Sequence, residues 1–185
     1  MTGEIQSEAE RRMQKSVEAV THELAGIRSG KATPALLDSV KVDAYGQKMP
    51  INQLASVSVP DPKSLVVQPW DKTIITSIVK AIQTSELGFN PQVEGSIIRI
   101  PVPPLSEDRR RDLAKLCKKI AEEGKVAIRN VRRDANERLK KAEKDKHISE
   151  DDQHKGSDKV QELTDKYIKK IDDLVAAKEK EIMSV

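Results

Sequence analysis

Apolar side chains return every three or four positions at the start of the chain, at Ile5, Ala9, Met13, Val17, Val20, Leu24 and Ile27. That spacing puts them on one side of an α-helix. The helix is expected to end at Gly30, which stands where a C-cap glycine would, with Pro34 soon after. A second helical pattern starts after Ser106, a fitting N-cap followed by the acidic first-turn residues Glu107 and Asp108. Leu113, Leu116, Ile120, Ala127, Val131, Ala135, Leu139 and Ala142 carry its seam without a proline to Lys146 or thereabouts, a rod of about 60 Å. Ser149 with Glu150, Asp151 and Asp152 begins a third helix, whose seam is Val160, Leu163, Tyr167, Ile171, Leu174 and Ile182. Three helices with one apolar stripe each hide those stripes most simply as a bundle.

The block between the first two helices has a different period. Alternation in Val40 to Ala44, Ala55 to Val59, Leu65 to Gln68 and Ile97 to Val102 predicts strands, with Tyr45-Gly46-Gln47 as a hairpin turn and Pro60-Asp61-Pro62 and Asn90-Pro91 as breakers. One helix intrudes between Asp71 and Leu87, burying Ile74, Ile75, Ile78, Val79 and Ile82, and Gly88 ends it. The expected fold class is α+β: a three-helix bundle (1–30 and 106–185) with a small, β-sandwich-like α/β domain (31–105) inserted into it. An insertion needs two connections. Ser29, Gly30, Lys31, Ala32 and Thr33 form the first, and Val102, Pro103, Pro104 and Leu105 the second, a paired hinge in which the prolines keep one segment extended and stiff.

Charge changes this picture more than composition does. The net charge of +3 is mild, so affinity for nucleic acid would have to come from how the charge is distributed. Residues 107–146 hold fifteen Lys or Arg against nine Asp or Glu, a net of +6, whereas 147–185 hold seven against ten, a net of −3. On a helical wheel Lys118, Lys125, Arg129, Arg132, Arg133, Asn136 and Lys140 gather opposite the Val131 seam, so the three arginines are expected to be exposed. A charge run is most often just a solvated face. Arginine is the informative residue here, because its planar fork grips phosphate bidentately, which a merely solubilising surface does not require. Arg109, Arg110 and Arg111 form a second cluster beside the proline-rich break.

Other chemistry is excluded more readily. Only 2% of the chain is aromatic, which does not suit a base-stacking RNA reader. Cys117 is the single cysteine, which rules out an internal disulfide and a Cys-cluster metal site, and it reads as a small buried hydrophobe. His22, His147 and His154 are scattered with no metal-ligand spacing, and neither a GxxxxGK[ST] nor a GxGxxG motif occurs. No catalytic residue, metal or cofactor is therefore expected. The acidic first thirty residues contain no apolar leader segment, and no apolar run approaches the roughly 20 residues that span a bilayer, so a cytoplasmic protein without a membrane partner is expected.

Five ordered stretches carry a family resemblance: Arg28-Ser29-Gly30-Lys31-Ala32-Thr33-Pro34-Ala35-Leu36-Leu37-Asp38; Leu54-Ala55-Ser56-Val57; Pro103-Pro104-Leu105-Ser106-Glu107-Asp108-Arg109-Arg110; Arg129-Asn130-Val131-Arg132-Arg133-Asp134-Ala135-Asn136; and Ile148-Ser149-Glu150-Asp151-Asp152. Together they resemble the bacterial ribosome recycling factor family, end to end. The resemblance implies an L-shaped, monomeric, non-enzymatic translation factor whose bundle lies on large-subunit ribosomal RNA. It further implies that elongation factor G engages the smaller domain and couples GTP hydrolysis to rotation about the hinge, which disassembles the post-termination ribosome. The candidate RNA contacts are Arg129, Arg132, Arg133 and Lys125, with Arg28 and Lys31 at the first break and Arg110 at the second. Lys31 and Ser29 stand where the family more often has arginine and threonine, and a lysine offers phosphate a point charge in place of a fork. His147 occupies a position that is often acidic. The competing expectation is an RNA-binding helical arm or ribosome-associated scaffold, which would have no use for a proline-hinged insertion.

Overall fold

The first apolar stripe does fold as one helix, but a shorter one than its spacing suggests. In the computed structural model, which describes residues 1–184, α1 spans Thr2–Ala25 and is capped by Gly26 in helical geometry (φ −71°). Ile27 is buried beyond the end of the helix, Val17 is only half-buried, and Gly30 is not the cap. The positive φ of Gly30 (81°) serves a turn in the connecting segment.

The chain divides into two compact units, Met1–Arg28 with Glu107–Ser184, and Ser29–Ser106. In the first unit α3 spans Glu107–Lys144 and α4 spans Glu150–Met183. At 38 residues α3 is about 57 Å long. Its C-terminus closes with the paired bonds of a Schellman motif: the His147 amide donates to the Ala142 carbonyl (2.9 Å) and the Lys146 amide to that of Glu143 (2.8 Å). Lys146 takes the left-handed position (φ 59°) that glycine usually fills. Ser149 then opens α4 with a capping box, its hydroxyl accepting from the Asp152 amide while the Asp152 carboxylate accepts from the Ser149 amide.

The buried stripe of α3 is Leu113, Cys117, Ile120, Ala121, Gly124, Ile128, Val131, Ala135, Leu139 and Ala142. Two residues expected in it are not: Leu116 is exposed and Ala127 only half-buried. Ile128, fully buried, lies at its centre. Small residues let the helices approach. A Cβ at Gly124 would fall 2.3 Å from Val20 of α1 and 3.1 Å from Ile171 of α4, and one at Gly156 of α4 would fall 3.0 Å from Leu139.

The second unit carries two antiparallel sheets. β1 (Lys41–Ala44) pairs with β2 (Gln47–Pro50) around the two-residue turn Tyr45-Gly46, where both φ values are positive, the twist that matches a tight hairpin. The four-stranded sheet has the order β3 (Ala55–Asp61), β4 (Ser64–Pro69), β6 (Ile97–Pro101), β5 (Gln92–Glu94). Neither β2 nor β5 was expected from the sequence, and β3 runs on through Pro60 and Asp61, taken above as breakers. The proline is accommodated at a sheet edge, where the register slips between Ser58 and Asp61. The expected helix over 71–87 is a 3₁₀ turn, Lys72–Ile74, leading into α2, Ile75–Thr84. Ile78 and Ile82 of α2 are buried with Val42, Leu65, Val67, Ile98 and Ile100 of the strands. Each such side chain contributes about 1.5–3 kcal/mol when fully removed from water.

Candidate nucleic-acid interface

Helix α3 has two flanks of different character. On the α1 side its charges are spent on cross-helix pairs: Arg138 Nη1 lies 2.6 Å from Glu8 Oε2, and Arg12 Nη2 of α1 lies 2.8 Å from Asp134 Oδ2. The hydrogen bond from Arg138 holds the Glu8 carboxyl below its ordinary range. Glu10 of α1 is held low in the same way, chiefly by the hydroxyl of Tyr167 on α4 (3.0 Å) and then by Lys166. Burial and that same contact push the Tyr167 phenol up. These contacts staple α1 to both long helices, and among the described residues that line the α1–α3 groove Glu137 and Lys141 are the charges outside the pairs.

The α4 side differs. Lys118, Arg133 and Lys140 are exposed, and Arg133 makes no hydrogen bond or ion pair among the described residues. Arg129 and Arg132, expected to be exposed like Arg133, are half-buried. Because the seam centres on Ile128, Arg132 sits at its border and faces α4. Its Nη1 donates to Gln161 Oε1 at 3.2 Å. Arg129 Nη1 lies 3.0 Å from Glu122 Oε1 on its own helix. Lys125 is half-buried and ion-paired with Asp172 of α4. Asn136 is half-buried on the same flank, and its Oδ1 has no partner.

The remaining candidates belong to other segments of the chain. Arg28 is exposed at the end of the first unit's opening segment, whereas Lys31 is half-buried in the other unit. Arg110 is half-buried near the start of α3, with a buried Nε that has no partner. The two expected connections are bound together: Leu105 packs against Gly30, where a Cβ would fall 3.0 Å from its Cγ. Both are tied to the tip of the β3–β4 hairpin, through the Ala32 amide to the Pro62 carbonyl (2.9 Å) and the Val102 amide to the Lys63 carbonyl (2.7 Å). Ser29, Ala32 and Val102 are buried.

Sequence spacing missed Gln161 and Asp172, the α4 residues that bond to Arg132 and Lys125, because only the packing register of α3 against α4 brings them there. Among the described residues no group of His, Cys, Asp and Glu is placed to hold a metal ion, and no helix is long and apolar enough to cross a membrane.

A three-helix bundle with a small α+β unit inserted after its first helix defines a class of two-unit α+β proteins. Residues 20–183 match the family model for ribosome recycling factor. The chain is 56% identical to the ribosome-recycling factor of Symbiobacterium thermophilum, with both chains covered in full, and 54% identical to that of Cupriavidus metallidurans over 95% of each. A solution structure of a ribosome recycling factor superposes with a TM-score of 0.75 at 47% identity, covering 100% of this chain and 98% of the other. A second solved structure matches with a TM-score of 0.64 at 47% identity, covering 98% of each chain. It is described as models for the T. thermophilus ribosome recycling factor and the E. coli elongation factor G bound to the E. coli post-termination complex. The chain belongs to the ribosome recycling factor family.

Proposed function

We propose that this chain disassembles the post-termination ribosome together with elongation factor G and GTP, and that the α4-side flank of α3 is its contact with large-subunit ribosomal RNA. Family membership over nearly the whole chain carries the reading, and the similar structure described with elongation factor G on a post-termination complex supports its choice of partner. The RNA assignment is supported by the contrast between the flanks of α3. One pairs its Arg138 with Glu8 and its Asp134 with Arg12 of α1, and the other presents Arg133, Lys118 and Lys140 to solvent. Unpaired cations in a row gain from counterion release on a phosphate backbone.

The chain itself does no chemistry in this reading. Elongation factor G hydrolyses GTP, and rotation about the connections at Ser29–Thr33 and Val102–Leu105 transmits the result. Two tied connections permit twisting about a common axis better than free swinging, which suits a lever. The test is splitting of post-termination ribosomes. Subunits should appear only when the chain, elongation factor G and GTP are all present, and the chain alone should pellet with large subunits without hydrolysing GTP. Tight binding with no splitting in the complete mixture would overturn the recycling reading.

A further inference from the structure

Arg132 differs from its neighbours in what holds it. Arg12, Arg129 and Arg138 pair with the carboxylates of Asp134, Glu122 and Glu8, and Lys125 pairs with Asp172. Arg132 is held by a neutral group, the amide oxygen of Gln161 across the α3–α4 groove. The direction of that amide is set one helical turn further along α4, where Gln161 Nε2 donates to Asp165 Oδ1 at 2.9 Å. An ionised carboxylate only accepts, so Asp165 takes the NH₂ end of the amide and leaves the carbonyl end for the guanidinium.

We propose that Gln161 and Asp165 are a positioning pair that aims the Arg132 guanidinium at phosphate while leaving its charge whole. The proposal rests on the reading of this flank as the RNA contact and adds the groups that organise it. A long arginine side chain loses rotamer freedom when it binds, and holding it beforehand moves that loss out of the binding step. The holder must also not neutralise what it holds. A glutamate at 161 would bond more strongly to Arg132, but it would cancel much of the charge that attracts phosphate. It would also stand one turn from Asp165 as a like charge. Glutamine supplies the geometry alone, and Asp165 keeps it from flipping.

Binding to vacant large ribosomal subunits, measured across a salt series, tests the pair. Gln161→Ala should bind about threefold more weakly with the salt slope unchanged, because the charge remains and only the preorganisation is lost. Gln161→Glu should bind about tenfold more weakly, with the slope reduced by about one phosphate contact. Asp165→Leu should behave like Gln161→Ala. In an Arg132→Ala background neither Gln161→Ala nor Asp165→Leu should weaken binding further, and this separates positioning from a direct or merely structural role. Thermal unfolding of the variants should match wild type. Effects of Gln161→Ala or Asp165→Leu that add in the Arg132→Ala background, or wild-type binding by Gln161→Glu, would overturn the proposal while leaving the RNA reading intact. Wild-type binding by Arg132→Ala itself would overturn the RNA reading and this proposal with it.

Discussion

Gly124 of α3 lies directly over Val20 of α1, so close that a Cβ at position 124 would stand 2.3 Å from Val20 Cγ2. Alanine is the better helix former by about 1 kcal/mol, so on propensity alone Gly124→Ala would stabilise α3. The contact reverses that sign. The added methyl has no free space, since Ile171 closes the other side at 3.1 Å. Overpacking of this kind costs about 1–3 kcal/mol. Gly124→Ala should therefore lower the bundle's unfolding temperature in calorimetry. Adding Val20→Ala should recover part of the loss by making room; a double variant no better than Gly124→Ala would place the strain elsewhere.

Gly30 tests the connections. Its φ of 81° and its contact with Leu105 both oppose a side chain, and a left-handed non-glycine residue costs about 1–2 kcal/mol. Gly30→Ala should loosen the local packing without touching the bundle. Faster hydrogen exchange at the Ala32 and Val102 amides, which bond to Pro62 and Lys63, is the expected result, with exchange in α4 unchanged.

The flanks of α3 should separate in a salt titration of ribosome binding. Arg133→Ala removes an exposed cation with no partner and should reduce the slope by about one, with a stability change under about 0.5 kcal/mol. Arg138→Ala removes a cation already paired with Glu8 and should leave the slope as it is. Equal losses from the two variants would contradict the assignment of a single binding flank.

Three carboxylates tie the long helices together or cap them, and each is held below its ordinary value. Hydrogen bonds from Arg138 lower Glu8, those from Tyr167 and then Lys166 lower Glu10, and those from the Ser149 hydroxyl and amide lower Asp152. A depressed folded-state value means that the stabilisation is fully present above the unfolded value. It is then lost as the pH falls through the folded one. The bundle should accordingly weaken on acidification from roughly pH 4 downward and not between neutral pH and pH 5. Glu8→Gln with Asp152→Asn should flatten that acid limb in denaturant titrations. Ser149→Ala should remove a cap of about 1 kcal/mol at neutral pH, measured by the same titration.

Local information settled most of the architecture. The three-to-four spacing of Ile5 to Leu24, the Ser149–Asp152 start signal and the alternation around Leu65 and Ile98 are chemical patterns that one segment carries by itself, so their elements follow from the sequence. Strands β2 and β5 do not: Gln47–Pro50 has no buried residue, and all of Gln92–Glu94 is exposed, so neither presents an apolar face to read. They exist because β1 and β6 supply hydrogen-bonding partners. The seam of α3 shows the same limit. Leu116 and Ile128 are both aliphatic positions on a long helix, and only the angle at which α1 and α4 pack decides that Ile128 is buried and Leu116 is not. The arginines were legible as a motif, but their sorting was not. Arg133 stands free, Arg132 leans on Gln161 and Arg138 is spent on Glu8, because the register between helices far apart in sequence fixes which charges meet. Periodicity determined the helices and the apolar strands, composition marked the basic helix, and tertiary packing, through contacts that no local pattern encodes, decided which of that helix's charges stay unpaired.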